Sequence, residues 1–350
     1  MKPFLEIRNV TFSSSTNHYL KNISFSILNE GETVSILGPS GVGKTTILRA
    51  VAGLEKIKGG EIWLDNQLIS SNKTNLIPEK RNIALSFQDN CLFPHLSVFE
   101  NIKLGLKRKN LKKKINVDDL VEKFKIIKLL KKFPHQISTG EAQRVSVIRS
   151  LVSSPKLLLL DEPFSNIDQG LKEELQIKLK EIINQLKLTT LIVTHSYDEA
   201  FYFGDKCGLF IDHQLEQYDI PYKIYHFPAS EKVANFFNKG IFLKARVISN
   251  DSLSHSSLGV IKGKFVNKQR IGNYVRLLIQ PEDLIHNDKS KMKFEVVDKR
   301  FVGTNFIYTL KISKNELIPV LVHSHHVHQH SVGEFFGVKT PIFIKHLVCF

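Results

Sequence analysis

The chain has 350 residues, which is enough for two domains that each bury their own core. With 42% hydrophobic and 24% charged residues, the composition excludes a disordered or collagen-like chain. The 49 basic residues outnumber the 34 acidic ones by 15, which suits either a polyanionic partner or a surface of simply solvated lysines.

The cysteine count and the apolar runs narrow the cellular setting. Cys91, Cys207 and Cys349 are too few and too scattered for a disulfide framework or a zinc site, which favours a reducing cytosol. No apolar run approaches the ~18–20 residues of a membrane helix. The opening MKPFLEIRNV has no signal-peptide core. We therefore expect a chain that neither crosses a membrane nor is secreted.

In chain order, the first two-thirds of the sequence alternate short apolar runs with longer amphipathic ones. Strands are predicted at 4–12, 23–28, 34–37, 61–64, 83–87, 157–160, 191–193 and 208–211. Helices are predicted at 45–52, 98–106, 141–152 and 171–186. This alternation predicts an α/β core with a mainly parallel sheet.

The pattern changes near residues 238–240. Short strands rich in β-branched and aromatic residues are predicted at 243–248, 274–279, 294–297, 306–312, 317–322 and 342–344. They predict an all-β module of roughly 110 residues, built as a small barrel or sandwich. A lysine-rich stretch lies earlier, at 107–114.

A glycine-rich loop follows the predicted strand that ends at residue 37. Residues 38–45 read GPSGVGKT and fit the pattern G-x-x-x-x-G-K-[ST], and a helix follows. The glycines allow the backbone to wrap a phosphate with its N–H groups inward, and the helix amino terminus adds positive potential. Lys44 would reach the β- and γ-phosphates, and the Thr45 hydroxyl would bind Mg²⁺.

Two carboxylates end the apolar run at 157–160. Such a run is typical of a buried parallel strand, and ligands bind at the carboxyl ends of strands in open α/β sheets. Asp161 would hold Mg²⁺, and Glu162 would act as the general base that activates water. A core strand that happens to end in surface carboxylates is the alternative, which the nearby phosphate loop makes weaker.

Taken together, the motifs resemble those of the ATP-binding subunit of an ABC transporter over residues 1–238. Gln88 resembles the glutamine-loop residue that contacts Mg²⁺, and Asp168 lies in a segment similar to the family's D-loop. His195 resembles the switch histidine, and residues 137–141, ISTGE, stand where the family has its signature Leu-Ser-Gly-Gly-Gln. The catalytic residues that the resemblance implies are Glu162, His195 and Gln88.

The resemblance also implies cofactors, ATP and Mg²⁺, and the residues that hold them. Phe12 is the best candidate to stack on adenine, and Tyr19 is less well placed. The implied ligands of Mg²⁺ are Thr45, Gln88 and Asp161. The implied nucleotide-binding residues are Phe12, Gly38, Pro39, Ser40, Gly41, Val42, Gly43, Lys44, Thr45, Thr46, Ser138, Gly140 and Asp168.

The signature predicts how two copies cooperate. Ser138 is expected to cap a helix whose amino terminus includes Gly140. In the family, two chains pack head to tail and each signature completes the partner's ATP site, which implies a homodimer. An ordinary capped helix is the alternative for this segment. Thr139 replaces a family glycine, which would restrict the backbone or crowd the γ-phosphate, and Glu141 replaces glutamine.

The resemblance also implies an architecture. It is an α/β phosphate-loop ABC ATPase domain at 1–238, with a parallel-sheet core, an antiparallel β subdomain and a helical subdomain at about 89–153. A small all-β regulatory domain, oligonucleotide-binding-like, is expected at 239–350. There, residues 279–283, IQPED, are similar to an Arg-Pro-Glu-Asp element of that domain, with Gln280 in place of arginine.

Within the family, residues 76–83 and 92–98 resemble bacterial importer ATPases, most closely those for ferric iron, with polyamine or sulfate as alternatives. This implies ATP hydrolysis that energises a binding-protein-dependent importer. The implied partners are integral-membrane permease subunits and, indirectly, a periplasmic or extracellular substrate-binding protein. The implied location is peripheral, at the cytoplasmic face of the inner membrane. A nucleic-acid ATPase is less favoured because those usually carry two cassettes, so no nucleic-acid partner is expected.

Three further segments keep two interpretations each. The apolar side chains after the glutamine loop would line a permease-docking groove or belong to a core: Phe93, Leu96, Val98, Phe99 and Ile102. The lysines at 107–114 would lie near an anionic leaflet or in a solvated loop. Five histidines at 323–330 would bind a transition metal or form a polar strand and loop.

Overall fold

The computed structural model describes residues 2–12, 20–106, 116–237, 240–325 and 329–350. The contacts divide the chain into two compact units, Met1–Pro221 and Tyr222–Phe350.

The first unit contains the strands and helices expected of an α/β fold. Its described strands are β1 (Leu5–Thr11), β2 (Ile23–Ile27), β3 (Thr33–Leu37), β4 (Gly59–Leu64), β5 (Gln67–Ser71), β6 (Ile83–Ser86), β7 (Leu157–Asp161), β8 (Thr189–Thr194), β9 (Lys206–Ile211) and β10 (Gln214–Asp219). Its described helices are α1 (Lys44–Ala52), α2 (Val98–Leu106), α3 (Val117–Lys123), α4 (Thr139–Val152), α5 (Gln169–Leu186) and α6 (Tyr197–Phe203).

Two sheets organise this unit. The larger has the strand order β10-β9-β3-β8-β7-β6 and is parallel except for the β9–β10 pair. The smaller is antiparallel and has the order β2-β1-β4-β5. The predicted fold class is therefore confirmed. Sequence analysis missed β5, β10, α3 and α6, because each spans only 5–7 residues and shows too few periods of its apolar pattern.

The leucine run of β7 is buried on both faces of the sheet. Leu157 and Leu159 join the core that contains the apolar side of α1, whereas Leu158 and Leu160 join the core beneath α4 and α5. Successive side chains of a strand point to opposite faces, so a central strand covered on both sides must be apolar throughout. This packing holds the strand end at Asp161 rigidly in place.

A buried arginine fixes the far end of α1. The guanidinium of Arg81, 2% exposed, donates to the carbonyls of Ala50 (2.8 Å), Val51 (2.9 Å) and Ile69 (2.9 Å). Its Nε also donates to the carbonyl of Leu76 at 2.6 Å. Burial lowers the pKa of Arg81 to about 10. The bonds to Ala50 and Val51 satisfy carbonyls at the carboxyl end of α1, where intrahelical partners run out, and the other two tie that end to β5 and the segment after it.

The helices between β6 and β7 pack together with α5. The second core joins apolar side chains of α2, α3 and α4 to the stripe on α5 formed by Leu175, Leu179, Ile182 and Ile183. Val98 and Ile102 are fully buried in this core. For these two residues the core interpretation is correct, and they do not line a docking groove.

The second unit combines two short helices with an all-β module. Its described helices are α7 (Pro221–His226) and α8 (Glu231–Phe236). Its described strands are β11 (Ile241–Ser249), β12 (Ser252–His255), β13 (Gly259–Phe265), β14 (Tyr274–Ile279), β15 (Lys293–Val302), β16 (Asn305–Lys311), β17 (Leu317–His323), β18 (Phe335–Gly337) and β19 (Ile342–Leu347). They form two sheets, of order β14-β11-β12-β13-β19 and β17-β16-β15-β18, around one core.

The division between the units falls earlier than the boundary predicted after residue 238. Side-chain contacts tie the two short helices to the β module: Arg276 pairs with Glu231 at 2.5 Å, and Gln280 donates to the carbonyl of Tyr225 at 3.2 Å. Gln280, which replaces the arginine of the related element, thus holds α7. The limits of the functional domains, including the oligonucleotide-binding-like fold, stay predictions.

Across the described ranges, the helices are all too short or too polar to span a bilayer.

Candidate functional site

The predicted site residues gather where four parallel strands end. β3, β8, β7 and β6 are neighbours in the large sheet, so their carboxyl ends lie along one edge. β3 leads into the loop at 38–43, β7 ends at Asp161, His195 follows β8, and Gln88 lies in the turn after β6. This edge is where ligands bind in open α/β sheets.

The loop at 38–43 has the backbone shape that a phosphate requires. Gly41 (φ 79°) and Gly43 (φ 102°) adopt the left-handed region that side chains disfavour. A Cβ at Gly38 would lie 2.4 Å from the carbonyl oxygen of Phe210. The loop then enters α1, whose amino terminus offers free N–H groups and a positive potential.

Lys44 is held within this loop. Its side chain is buried, and the ammonium donates to the carbonyls of Gly38 at 2.9 Å and Pro39 at 2.8 Å. Burial lowers the pKa of Lys44, and the nearby carboxylates of Glu162 and Asp161 oppose that effect. The ammonium is therefore positioned before a ligand arrives.

Thr45 and Asp161 are brought into contact by α1 and β7. The Thr45 hydroxyl donates to Asp161 Oδ1 at 3.1 Å, and Asp161 is 3% exposed. Burial raises the pKa of Asp161, and the hydrogen bond from Thr45 lowers it. A hydroxyl and a carboxylate beside a phosphate loop are the oxygen ligands that Mg²⁺ prefers, so the residues present fit this ion.

Glu162 and His195 form a pair across β7 and β8. His195 Nδ1 lies 3.2 Å from Glu162 Oε2. The Glu162 side chain is 12% exposed and that of His195 54% exposed, so water reaches the pair from one side. Glu162 has a left-handed backbone (φ 46°), which for a non-glycine residue costs ~1–3 kcal/mol. Its N–H donates to the carbonyl of Val193 at 2.9 Å, which anchors this turn on β8.

Gln143 links this pair to α4, the signature helix, which begins within the signature segment at 137–141. Sequence analysis missed this role. The buried amide of Gln143 donates to the carbonyl of Glu162 at 2.7 Å and to Ser165 Oγ at 3.3 Å. Its Oε1 accepts from the N–H of Asn166 at 3.1 Å. An uncharged polar residue on the core-facing side of α4 was the available signal, since a buried amide requires partners.

The signature segment forms a capped helix beside the D-loop. Ser138 Oγ accepts from the N–H of Glu141 at 3.3 Å, and Glu141 Oε2 accepts from the N–H of Ser138 at 2.8 Å. This reciprocal pair is a capping box. A Cβ on Gly140 would lie 2.5 Å from the carbonyl oxygen of Asn166, so only glycine fits there. A groove of about 270 Å³ runs beside it and includes Asp168.

The expected backbone restriction at Thr139 is wrong. Thr139 is the first residue of α4 and has an ordinary right-handed helical backbone, which threonine adopts without strain. Its side chain is exposed at the groove. Steric crowding of a ligand from the other side of the groove is the part of that expectation that stays a prediction.

The structure does not bring every predicted residue to the ligand. Phe12 is 2% exposed in the core beneath the small sheet, so its ring presents no open face to a base. Its burial argues against the predicted adenine-stacking role, which stays a prediction. Tyr19 and the lysines at 107–114 lie outside the described residues. Gln88 is exposed at the strand edge.

These features are those of a phosphate-loop nucleotide-binding domain, and comparisons with known proteins agree. The sequence pattern of the ABC transporter family matches residues 20–165. The chain is 36% identical over 283 residues to FbpC 2, an Fe(3+) ions import ATP-binding protein of Haemophilus influenzae, which covers 80% of this chain and 78% of that one. It is 32% identical to PotA, a spermidine/putrescine import ATP-binding protein of Aggregatibacter actinomycetemcomitans, over 96% of this chain and 94% of that one.

A solved structure shows the same likeness. The ATP-binding cassette MJ0796, a dimer in a post-hydrolysis state bound to ADP and Pi, superposes with a TM-score of 0.55 at 28% identity. The match covers 62% of this chain and 98% of that chain. The chain belongs to the ABC transporter family, and it is an ATPase of that family.

Proposed function

We propose that this ATPase energises a binding-protein-dependent importer and that the importer carries ferric iron. The observation that supports the coupling role is the Glu162–His195 pair beside the phosphate loop, since these groups suit hydrolysis rather than binding alone. The 36% identity to the ferric-iron import protein of Haemophilus influenzae supports the substrate. A polyamine importer is the second candidate, because PotA aligns over 96% of the chain.

The loop at 38–46 would bind the nucleotide, and Ser138, Gly140 and Asp168 of a second copy would complete the binding site. Lys44 brings a positive charge to the β- and γ-phosphates, and the backbone N–H groups of the loop donate hydrogen bonds to the remaining phosphate oxygens. Thr45, Asp161 and Gln88 would hold Mg²⁺. When bound, Mg²⁺ would supply positive charge beside the phosphates.

Hydrolysis falls to Glu162 and His195. The Glu162 carboxylate accepts a proton from the attacking water, as a general base does. His195 lies 3.2 Å from that carboxylate and would orient it, and it would contact the γ-phosphate from the end of β8. Gln143 keeps the turn at Glu162 attached to the signature helix, so motion of that helix reaches the base.

The groove at Ser138–Asp168 supports a homodimer. The amino terminus of α4 lies at its rim and can attract phosphates. The described residues that line the groove do not include the phosphate loop at 38–45, so the groove suits phosphates held by the loop of a second copy. Each copy would supply half of two sites.

The permease would dock on a second cavity, of about 410 Å³, between α1, β6 and α2. Phe93 lines it and is 47% exposed, whereas the buried Val98 and Ile102 do not. A permease helix seated there would touch the segment that follows Gln88, so nucleotide state and permease position would be linked. With the permease docked there, the chain would lie peripherally, at the cytoplasmic face of the membrane.

Uptake measurements in the source cells test the substrate. Cells that lack this chain should lose uptake of radiolabelled ferric iron and keep uptake of putrescine, and the parent chain should restore the iron signal. Loss of putrescine uptake alone would contradict iron and support the polyamine candidate. A Lys44→Ala chain is the matched negative control, because it keeps the fold but loses the phosphate contact.

Thr139 offers a test of the dimer site. We expect Thr139→Gly to leave ATP turnover of the assembled transporter unchanged or to raise it by up to about tenfold, since ~1.4 kcal/mol of relieved crowding is tenfold in rate. Thr139→Ser keeps the hydroxyl and removes only the methyl group. A fall with glycine that serine does not show would instead make the hydroxyl a contact to the phosphate.

A further inference from the structure

Two buried histidines and one carboxylate converge in the second unit, far from the nucleotide site in sequence. His286 and Asp288 lie between β14 and β15, and His330 lies between β17 and β18. The two histidine side chains are each 4% exposed, and that of Asp288 is 42% exposed. The cluster therefore has a buried floor of imidazoles and one solvent-facing acidic group.

The three ligand atoms form a nearly equilateral triangle. His286 Nε2 lies 2.9 Å from His330 Nε2 and 3.0 Å from Asp288 Oδ1, and His330 Nε2 lies 3.1 Å from the same oxygen. Ligands of a tetrahedral ion at ~2.1 Å stand about 3.4 Å apart. The triangle thus needs to widen by about 0.4 Å to hold such an ion, which would then lie about 0.7 Å above its plane.

When the carboxylate is ionised, two neutral imidazoles can each donate Nε2–H to Asp288 Oδ1, so hydrogen bonds account for two of the three edges. The third edge then brings two donor nitrogens within 2.9 Å of each other. A cation in place of the two protons accepts a lone pair from all three atoms at once.

The surroundings hold both imidazoles in place. The ring of Phe336 lies 4.3 Å from that of His286 and 5.1 Å from that of His330, centroid to centroid. Tyr308 packs on the same phenylalanine at 5.2 Å. A rigid apolar wall behind metal ligands fixes their orientation and limits water on that side. The open positions of the ion would face the side of Asp288.

We propose that His286, Asp288 and His330 form a binding site for a divalent first-row transition metal ion. Two imidazoles and one carboxylate on one face are a donor set for Zn²⁺ or Fe²⁺, whereas Mg²⁺ and Ca²⁺ prefer oxygen alone. The inference goes beyond the transport function and does not depend on which substrate is carried.

Of the described histidines in the histidine-rich segment at 323–330, the proposed site uses one. Of the described histidines in that segment, His330 is buried at the cluster, while His323 and His325 are exposed. His326 and His328 lie outside the described residues. The other two ligands come from a loop more than 40 positions earlier, as the separation of 44 residues between His286 and His330 shows.

Metal titration of the full, tag-free chain tests the proposal. We expect one Zn²⁺ per chain by calorimetry after chelator treatment, and Co²⁺ should give the visible ligand-field bands of a site with nitrogen and oxygen ligands. Fe²⁺ under anaerobic conditions and Mn²⁺ distinguish the possible ions, and Mg²⁺ should not compete. Asp288→Asn, which replaces a solvent-facing group, should weaken affinity at least ~10–100-fold. His330→Asn should abolish the Co²⁺ spectrum.

A matched control separates the cluster from the exposed histidines. The double variant His323→Asn, His325→Asn should keep the one-to-one stoichiometry and the Co²⁺ bands. Loss of binding in that variant with retention in Asp288→Asn would overturn the proposal and place the metal on the exposed segment. Absence of any Zn²⁺, Fe²⁺ or Co²⁺ binding by the folded parent would also overturn it. Thermal unfolding followed by circular dichroism verifies that each variant is folded, because ATP turnover reports on the first unit and all of these residues lie in the second.

Discussion

Replacement of Glu162 by glutamine is expected to lower ATP turnover by about 10²–10⁴-fold, the range for loss of a general base. In the parent, His195 Nδ1 lies 3.2 Å from the Glu162 carboxylate. Glutamine keeps the size of this side chain and can still form a hydrogen bond with His195, but it cannot accept a proton from water. ATP binding should therefore stay close to that of the parent, and the variant should accumulate as an ATP-bound dimer.

Three measurements check this result: steady-state phosphate release, nucleotide affinity by fluorescence, and dimer mass by light scattering with and without ATP. Glu173→Gln makes the same chemical change at an exposed position of α5 and should behave as the parent. Turnover of Glu162→Gln at the parent rate would exclude Glu162 as the base. A monomer that binds ATP normally would contradict the dimer instead.

Lys44→Ala is expected to lower ATP affinity by about 10–100-fold, because a hydrogen bond to a charged group contributes ~1.5–3 kcal/mol. The carbonyls of Gly38 and Pro39 already hold the Lys44 ammonium in place. Ordering this side chain when ATP binds therefore costs the parent little, and the alanine variant gains little from not ordering it. Equilibrium binding of a fluorescent ATP analogue measures the effect, and turnover should fall with it.

Two further variants separate charge from packing. Lys44→Met keeps most of the length of this buried side chain and removes the charge, so it should lose affinity as the alanine variant does. Lys56→Ala removes an exposed lysine just beyond α1 and should bind ATP normally. Unchanged affinity in both Lys44 variants would contradict the assignment of the loop at 38–45 to the phosphates.

Much of the nucleotide site could be predicted from sequence because its parts are local. Residues 38–45 adopt their loop through glycines placed at fixed offsets, and covalent spacing alone puts Lys44 and Thr45 at the start of α1. Likewise, the leucines of β7 place Asp161 at a strand end, because a strand buried on both faces has a continuous apolar pattern. The α/β class followed from the same periodicities.

Other features depended on packing between distant segments. Phe12 follows β1 directly, and only the packing of the small sheet on the core determined that its side chain is buried. The left-handed turn at Glu162 and its bonds to Gln143 join residues about 20 positions apart. The close approach of Gly140 to Asn166 likewise comes from how α4 meets the loop before α5.

Sequence by itself determined the class of this protein, since phosphate-binding chemistry resides in short runs whose geometry the neighbouring residues impose. Tertiary structure alone decided which of its scattered polar groups act together. Gln143 of α4 is bonded to the backbone of Glu162, and His330 lies beside His286 and Asp288 rather than with the other histidines of the segment at 323–330. The physical reason is that a contact between separated residues depends on the packing of whole elements, and no local period in the sequence records it.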